Sequence, residues 1–151
     1  MNDFTLDRFD HAILNALISD STATNAQLSE IAKLSASQCS RRRTRLEEAG
    51  IITGYGARVN EEALGFTLRA ITRINLTTHG EDTAQKFASF VKRHEEIESA
   101  YSVSGDADYV LLLRTRDLKA FADFIHTHLL PQVNIAQVRS EIVLTTIKTP
   151  N

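Results

Sequence analysis

Four arginines fall within five residues, Arg41, Arg42, Arg43 and Arg45, with Ser37 and Gln38 just ahead of them. A guanidinium donates in a planar fork that fits phosphate oxygens and the major-groove edge of guanine, and a glutamine amide can pair bidentately with adenine. The chemistry on offer is nucleic-acid recognition. Ser37, Gln38, Arg41 and Arg42 are the candidates for base edges. Arg45, a turn later, is the candidate phosphate clamp. The blander account is a helical hairpin with a solvated basic face, on which a surface serine or glutamine is unremarkable.

Groove reading needs a helix that starts sharply. Ser35 and Gln38 form an S-x-x-Q capping box ahead of the arginines, and Thr24 and Gln27 repeat it before Leu28, Ile31 and Ala32. Two short capped helices joined by a tight junction make a helix-turn-helix. Phe9, Ile13, Leu14 and Leu17 give an earlier helix its apolar face. Cys39 and Leu46 form the inward face of the arginine helix, and Gly50 is its expected C-cap. Core packing is the reading for Cys39, ahead of redox sensing. Ile51 and Ile52 follow, then Tyr55, Ala57 and Val59 alternate in an extended segment, a short wing leading to a tether. Residues 1–54 are expected to bind DNA, residues 55–65 to link, and residues 66–151 to form a second domain.

That second part changes period. Phe66, Leu68, Ala70, Thr72, Ile74 and Leu76 alternate as a strand. A helix is expected at 82–94 on Ala84, Phe87, Ala88 and Val91, then a strand from Ile97 to Ser104 and another over YVLLLRT. Leu118, Phe121, Ala122, Ile125 and Leu129 mark a helix ended by Pro131, and 135–148 reads as a long last strand. The order β-α-β-β-α-β is ferredoxin-like, four antiparallel strands with helices on one face. The fold class is α+β, an N-terminal (winged) helix-turn-helix plus this C-terminal domain. Ile71, the middle of YVLLLRT and Val143 put apolar groups on the uncovered sheet face too, which predicts a second subunit there.

The turn Gly105-Asp106-Ala107-Asp108 is a second constellation. It is an ordinary hairpin turn if its carboxylates bond nearby backbone. Alternatively Asp106 or Asp108 pairs with the ammonium of an α-amino acid whose carboxylate meets turn N–H groups, with Tyr109 and Thr145 shaping the site. Nothing else points to a site. The histidines lack metal-ligand spacing, neither a nucleophile elbow nor a phosphate-cradling glycine loop is present, and an enzyme is not expected. No metal or cofactor is expected.

The 151 residues are 42% hydrophobic and 24% charged with a net charge of −2, a folded chain whose basic footprint is local rather than global. One cysteine excludes a disulfide framework. The start MNDFTLDRFD is no signal peptide and no apolar run spans a bilayer, so the expected location is the cytoplasm, on the nucleoid when DNA is bound.

LDRFDHAILNAL, LSEIAKLSASQCSRRRTRLEEAGIITGY and VSGDADYVLLL, in this order, resemble the Lrp/AsnC family of transcriptional regulators from about Leu6 to Lys148. The resemblance implies a DNA-binding module and an effector domain that pairs chains into dimers and often tetramers or octamers. It also implies an amino-acid effector, of unidentified side chain, bound between subunits beside the Gly105–Asp108 turn. Twofold-related recognition helices would face an inverted repeat in double-stranded DNA, about one helical turn apart (~34 Å). The competing expectation is an architectural DNA-binding protein with no effector. Two positions depart from the family pattern. Arg43 stands where an aliphatic residue is usual, and Ala36 where proline is common.

Overall fold

The computed structural model describes residues 5–132 and 134–148. The chain divides between Val59 and Asn60 into two compact units. The expected 55–65 linker is thereby shared. Residues 55–59 belong to the first unit, while Glu61 is tied into the second by Arg69 at 2.7 Å and Arg114 at 3.0 Å.

In the first unit, α1 spans Arg8–Ser19, α2 Asn25–Ala32 and α3 Ala36–Glu48. Each starts at a complete capping box: Asp7 with Asp10, Thr24 with Gln27, Ser35 with Gln38. The aspartate pair is the one that a search for glutamate or glutamine at the third position overlooks. Ile13, Leu17, Leu28, Ala32, Cys39 and Leu46 pack into one core, with Leu6, Leu34 and Ile52 at its edge. Ile31, expected on the core face of α2, is 56% exposed. This helix is two turns long and turns Leu28 and Ala32 inward, which leaves Ile31 on the rim. Burial pushes the Cys39 thiol above its ordinary value, although Arg42 pulls the other way, so the group stays a protonated, packed thiol.

Gly50, at φ +70°, closes α3 as expected, and the N–H groups of Ile51 and Ile52 reach back to the Leu46 carbonyl. The anticipated wing has no strand pairing among the described residues. Residues 53–59 run as irregular chain held by side chains, with Ser21 Oγ donating to Gly56 O at 3.4 Å and Arg58 to Ser19 O at 3.1 Å.

In the second unit, β1 (Leu68–Leu76), α4 (Glu81–Val91), β2 (Ile97–Ser102), β3 (Tyr109–Thr115), α5 (Leu118–Phe124) and β4 (Ile135–Ile142) form an antiparallel sheet ordered β2-β3-β1-β4. This is the ferredoxin-like arrangement. Ala70, Thr72, Ile74 and Leu76 alternate inward along β1, and Leu111, Leu113 and Thr115 along β3. The apolar ones meet Phe87 and Phe90 of α4 and Phe121 and Phe124 of α5.

Several helix and strand expectations shift, and the second strand ends at Ser102 rather than Ser104. The buried face of α4 is Phe87 and Phe90, and Ala84 and Ala88 lie outside it. Leu118 is at the first position of α5 and exposed, while α5 passes at Ile125 into a single π turn ending at Leu129. Leu130 N bonds Ile125 O at 2.8 Å, and this five-residue step keeps Phe124 and Leu129 on one face. β4 stops at Ile142 rather than running to 148. Its register sets Ile142 beside Ala70, and Val143 N–H already reaches Arg69 O, so β1 is nearly used up.

The uncovered sheet face is apolar at its centre and charged around it. Ile71 lies directly opposite Leu112, and Tyr101 opposite Val110. Around them sit Arg69 with Glu61 and Glu98, Arg114 with Glu61, and Arg73 with Glu141.

Candidate nucleic-acid interface

The N-terminal half of α3 presents Ser37, Gln38 and Arg41 to solvent, and Gln38, Arg41, Arg42 and Arg45 line a shallow groove of about 300 Å³. Four of the five sequence-predicted DNA-facing residues therefore share one groove, with Ser37 exposed beside Gln38. Their states differ, and the difference comes from α1.

Asp10 is fully buried, with one carboxylate oxygen 2.8 Å from Arg42 Nη1 and the other 2.7 Å from Arg45 Nη2. Arg42 also meets Asp7 at 2.8 Å and lies over the Phe9 ring at 5.3 Å. The Asp10 hydrogen bond, opposed by burial and helped by Asp7, holds the Arg42 guanidinium above its ordinary pKa. The Asp10 N–H bond, reinforced by Arg42 against the effect of burial, holds the Asp7 carboxyl below its own. One carboxylate thus caps α1, neutralises charge on the basic helix and fixes the direction of two of its arginines.

Gln38 is committed in part. Its Oε1 accepts from Ser35 N at 3.0 Å and Ser35 Oγ at 3.1 Å, which leaves the amide Nε2 as a donor. A bidentate adenine pair would require Gln38 to release the cap. Arg43 points elsewhere. Its Nε donates to Tyr55 Oη at 2.8 Å and Glu47 Oε1 at 3.2 Å, its guanidinium lies 4.5 Å from the Tyr55 ring centre, and Tyr55 Oη donates to Glu47 at 2.6 Å. Where an aliphatic residue was expected, an arginine keeps its stem against the unit and its charge on a neighbouring carboxylate. Tyr55 and Asp10 are partners of the basic helix that the sequence alone does not mark as such. The D-x-x-D spacing of Asp7 and Asp10 was a legible signal for the capping role, but nothing local pointed to the arginines.

The Gly105–Asp108 turn is sewn to the end of β1. Val103 N bonds Asp108 O at 3.1 Å, Asp108 N bonds Ile74 O at 2.9 Å, and Asp108 Oδ2 accepts from Leu76 N at 2.7 Å. Asn75 Nδ2 donates to Asp106 O at 2.7 Å. Gly105 takes φ +133°, outside what a β-carbon tolerates. Asp108 therefore behaves as a structural turn residue. The Asp106 carboxylate is 76% exposed, with Arg139 at 3.6 Å. Tyr109 packs on Phe87 at 4.4 Å, on the helix side of the sheet. Thr145 is exposed past the end of β4. The ladder places it at the opposite end of β1 from the turn, so a single chain does not bring the two together.

Comparison with known proteins resolves which family this architecture serves. Residues 69–151 match the Lrp/AsnC ligand binding domain, and residues 6–53 match a winged helix-turn-helix DNA-binding model. The chain belongs to the Lrp/AsnC family. It is 36% identical to the leucine-responsive regulatory protein of Klebsiella pneumoniae over 97% of this chain and 89% of that one, and 35% identical, with the same coverage, to that of Escherichia coli K12. Among solved structures, a Neisseria meningitidis transcriptional regulator in complex with L-Met has a TM-score of 0.92 at 34% identity, covering 97% of this chain and 94% of that one. An AsnC family regulator from Agrobacterium tumefaciens has a TM-score of 0.90 at 28% identity, covering 96% and 94%. Lrp/AsnC proteins are transcriptional regulators rather than enzymes, and members bind DNA and self-associate. The regulator described here has both parts, a helix-turn-helix and the mixed α/β effector domain. Among its described residues no helix is long and apolar enough to cross a membrane.

Proposed function

We propose that this protein is a sequence-specific, cytoplasmic regulator, nucleoid-associated when bound, whose arrangement on DNA changes when an amino acid or related metabolite occupies the effector domain. Its copies pair through the uncovered sheet face, and the pairs assemble further into tetramers or octamers. Twofold symmetry then sets two α3 helices against an inverted repeat in double-stranded DNA. Arg41 reads a base, Ser37 and the Gln38 amide assist, and Arg42 and Arg45 act from the orientation that Asp10 gives them. The effector shifts the balance between assemblies by binding one better than another.

The observation that carries the effector reading is the exposed Asp106 carboxylate beside Gly105, in a turn whose other carboxylate is already committed to Leu76. An α-ammonium pairs with Asp106, and Gly105 keeps the backbone open to the ligand. Asp108 and Tyr109 shape the site from behind, and Thr145 is contributed by a neighbouring copy. The Neisseria relative in complex with L-Met supports a ligand of this class.

Titration calorimetry against the twenty amino acids tests the reading. Saturable binding of at least one, lost in Asp106→Ala with the fold retained, is the expected result. No heat from any of them at millimolar concentration would return the turn to the ligand-free architectural role that its backbone bonds already satisfy.

A further inference from the structure

Lys33 is the one residue other than glycine with positive φ among the described residues, at φ 55° and ψ 44°. It ends α2, and only Leu34 and Ser35 separate it from the first residue of α3. Its N–H closes on Ser29 O, and Leu34 N–H bonds the same carbonyl at 3.3 Å, so the left-handed residue makes the sharp bend of the helix-turn-helix. Glycine adopts this conformation without steric cost, whereas a side chain with a β-carbon is disfavoured there. A strained residue held at such a position calls for a reason outside the backbone.

The charges supply one. Of the five basic side chains from Lys33 to Arg45, Arg42, Arg43 and Arg45 are tied to carboxylates of their own unit. Lys33 is exposed and forms no ion pair with another described residue. In the chain it lies three residues ahead of Ala36, the first residue of the basic helix, and that end of a recognition helix is the one that contacts base edges in the major groove. The chain entering such a helix passes the phosphates at the groove edge.

We infer that Lys33 is a DNA-backbone contact, its ammonium meeting a phosphate where the α2–α3 turn crosses the groove edge, and that lysine stands in place of the unstrained glycine for its charge. This rests on the DNA-binding reading above and adds a contact to it. Because a phosphate carries no sequence, the contact belongs to arbitrary duplex as much as to an operator.

The test uses the full chain with Lys33→Gly, Lys33→Asn and Lys33→Arg, on a mixed-sequence duplex over a series of salt concentrations. Glycine and asparagine tolerate the left-handed turn and remove the charge, so both variants should unfold at or above the temperature of the unaltered protein. Both should bind more weakly, on the order of eightfold per contacting copy at 0.1 M salt, with the slope of log K against log salt shallower by about 0.9 per copy. Lys33→Arg should bind as the unaltered chain does. Unchanged affinity and slope in the neutral variants would overturn the inference. So would a lower unfolding temperature in both, which would make Lys33 a support of the turn itself. Failure of the unaltered chain to bind duplex at any salt would instead sink the DNA-binding reading, and this contact with it.

Discussion

The Asp10 carboxylate, with no exposed surface of its own, lies 2.8 Å from the Nη1 of Arg42, whose side chain is 25% exposed. Thirty-two residues separate the pair, and the same carboxylate holds Arg45 through its other oxygen. The first helix therefore decides how the third presents its charge. Asp10→Asn keeps the size and part of the capping but removes the counter-charge. It should destabilise the DNA-binding unit by about 3 kcal/mol, toward the low end for a broken buried pair because Arg45 can rehydrate. Discrimination between operator and scrambled DNA should fall with it, since Arg42 and Arg45 lose their fixed direction. Chemical denaturation together with competition binding measures both. A variant as stable and as selective as the parent would remove Asp10 from this role.

Arg43 is held by Tyr55 and Glu47 and is expected to support the fold rather than to contact DNA. Tyr55→Phe leaves the cation–ring contact and the Glu47 pair but deletes the hydroxyl between them. It should cost about 1 kcal/mol of stability. Arg43→Ala should cost more, since the ring contact goes too, while leaving the salt slope of DNA binding unchanged. A shallower slope in Arg43→Ala would place this guanidinium on phosphate after all.

Glu61 should make the second unit acid-sensitive. Burial works to raise its carboxyl, but hydrogen bonds from Arg69 and Arg114 outweigh it and hold the pKa below the ordinary 4.5. A carboxyl depressed on folding contributes stability that is complete above its unfolded value and is lost as pH falls through the native one. Unfolding followed from pH 6 down to about pH 3 should show Glu61→Gln less stable than the parent at the upper end and the two converging at the lower. Parallel curves would show that the ion pairs carry no such linkage.

Self-association should depend on the Ile71–Leu112 pair at the centre of the uncovered sheet face. Leu112→Lys puts a charge into the apolar strip without touching the helix-covered core, and burying it against a partner would be costly. The expected result in sedimentation is a shift toward monomer at concentrations where the parent is dimeric, with circular dichroism unchanged. Identical sedimentation of the two proteins would move the interface elsewhere.

The capping boxes at Thr24 and Ser35, the Gly50 stop and the β-α-β-β-α-β order were all legible along the chain. Caps and hydrophobic period act over three or four neighbours, so local sequence is enough to specify them. Burial on a short helix was less legible. Ile31 and Ala32 are adjacent and both apolar, and only the angle at which α2 meets α1 and α3 turned Ala32 inward. The state of each functional side chain lay further out of reach. Asp10 finding Arg42 and Arg45, Tyr55 finding Arg43, Asp108 accepting from the Leu76 N–H, and the exposed Asp106 lying beside Arg139 are all pairings made across space. Residue types along the chain determined that a basic helix and an acidic turn exist. Which of their charges meet a partner within the chain and which stay at the surface was decided only by packing, because an ion pair depends on a separation of a few ångströms that no spacing in sequence encodes.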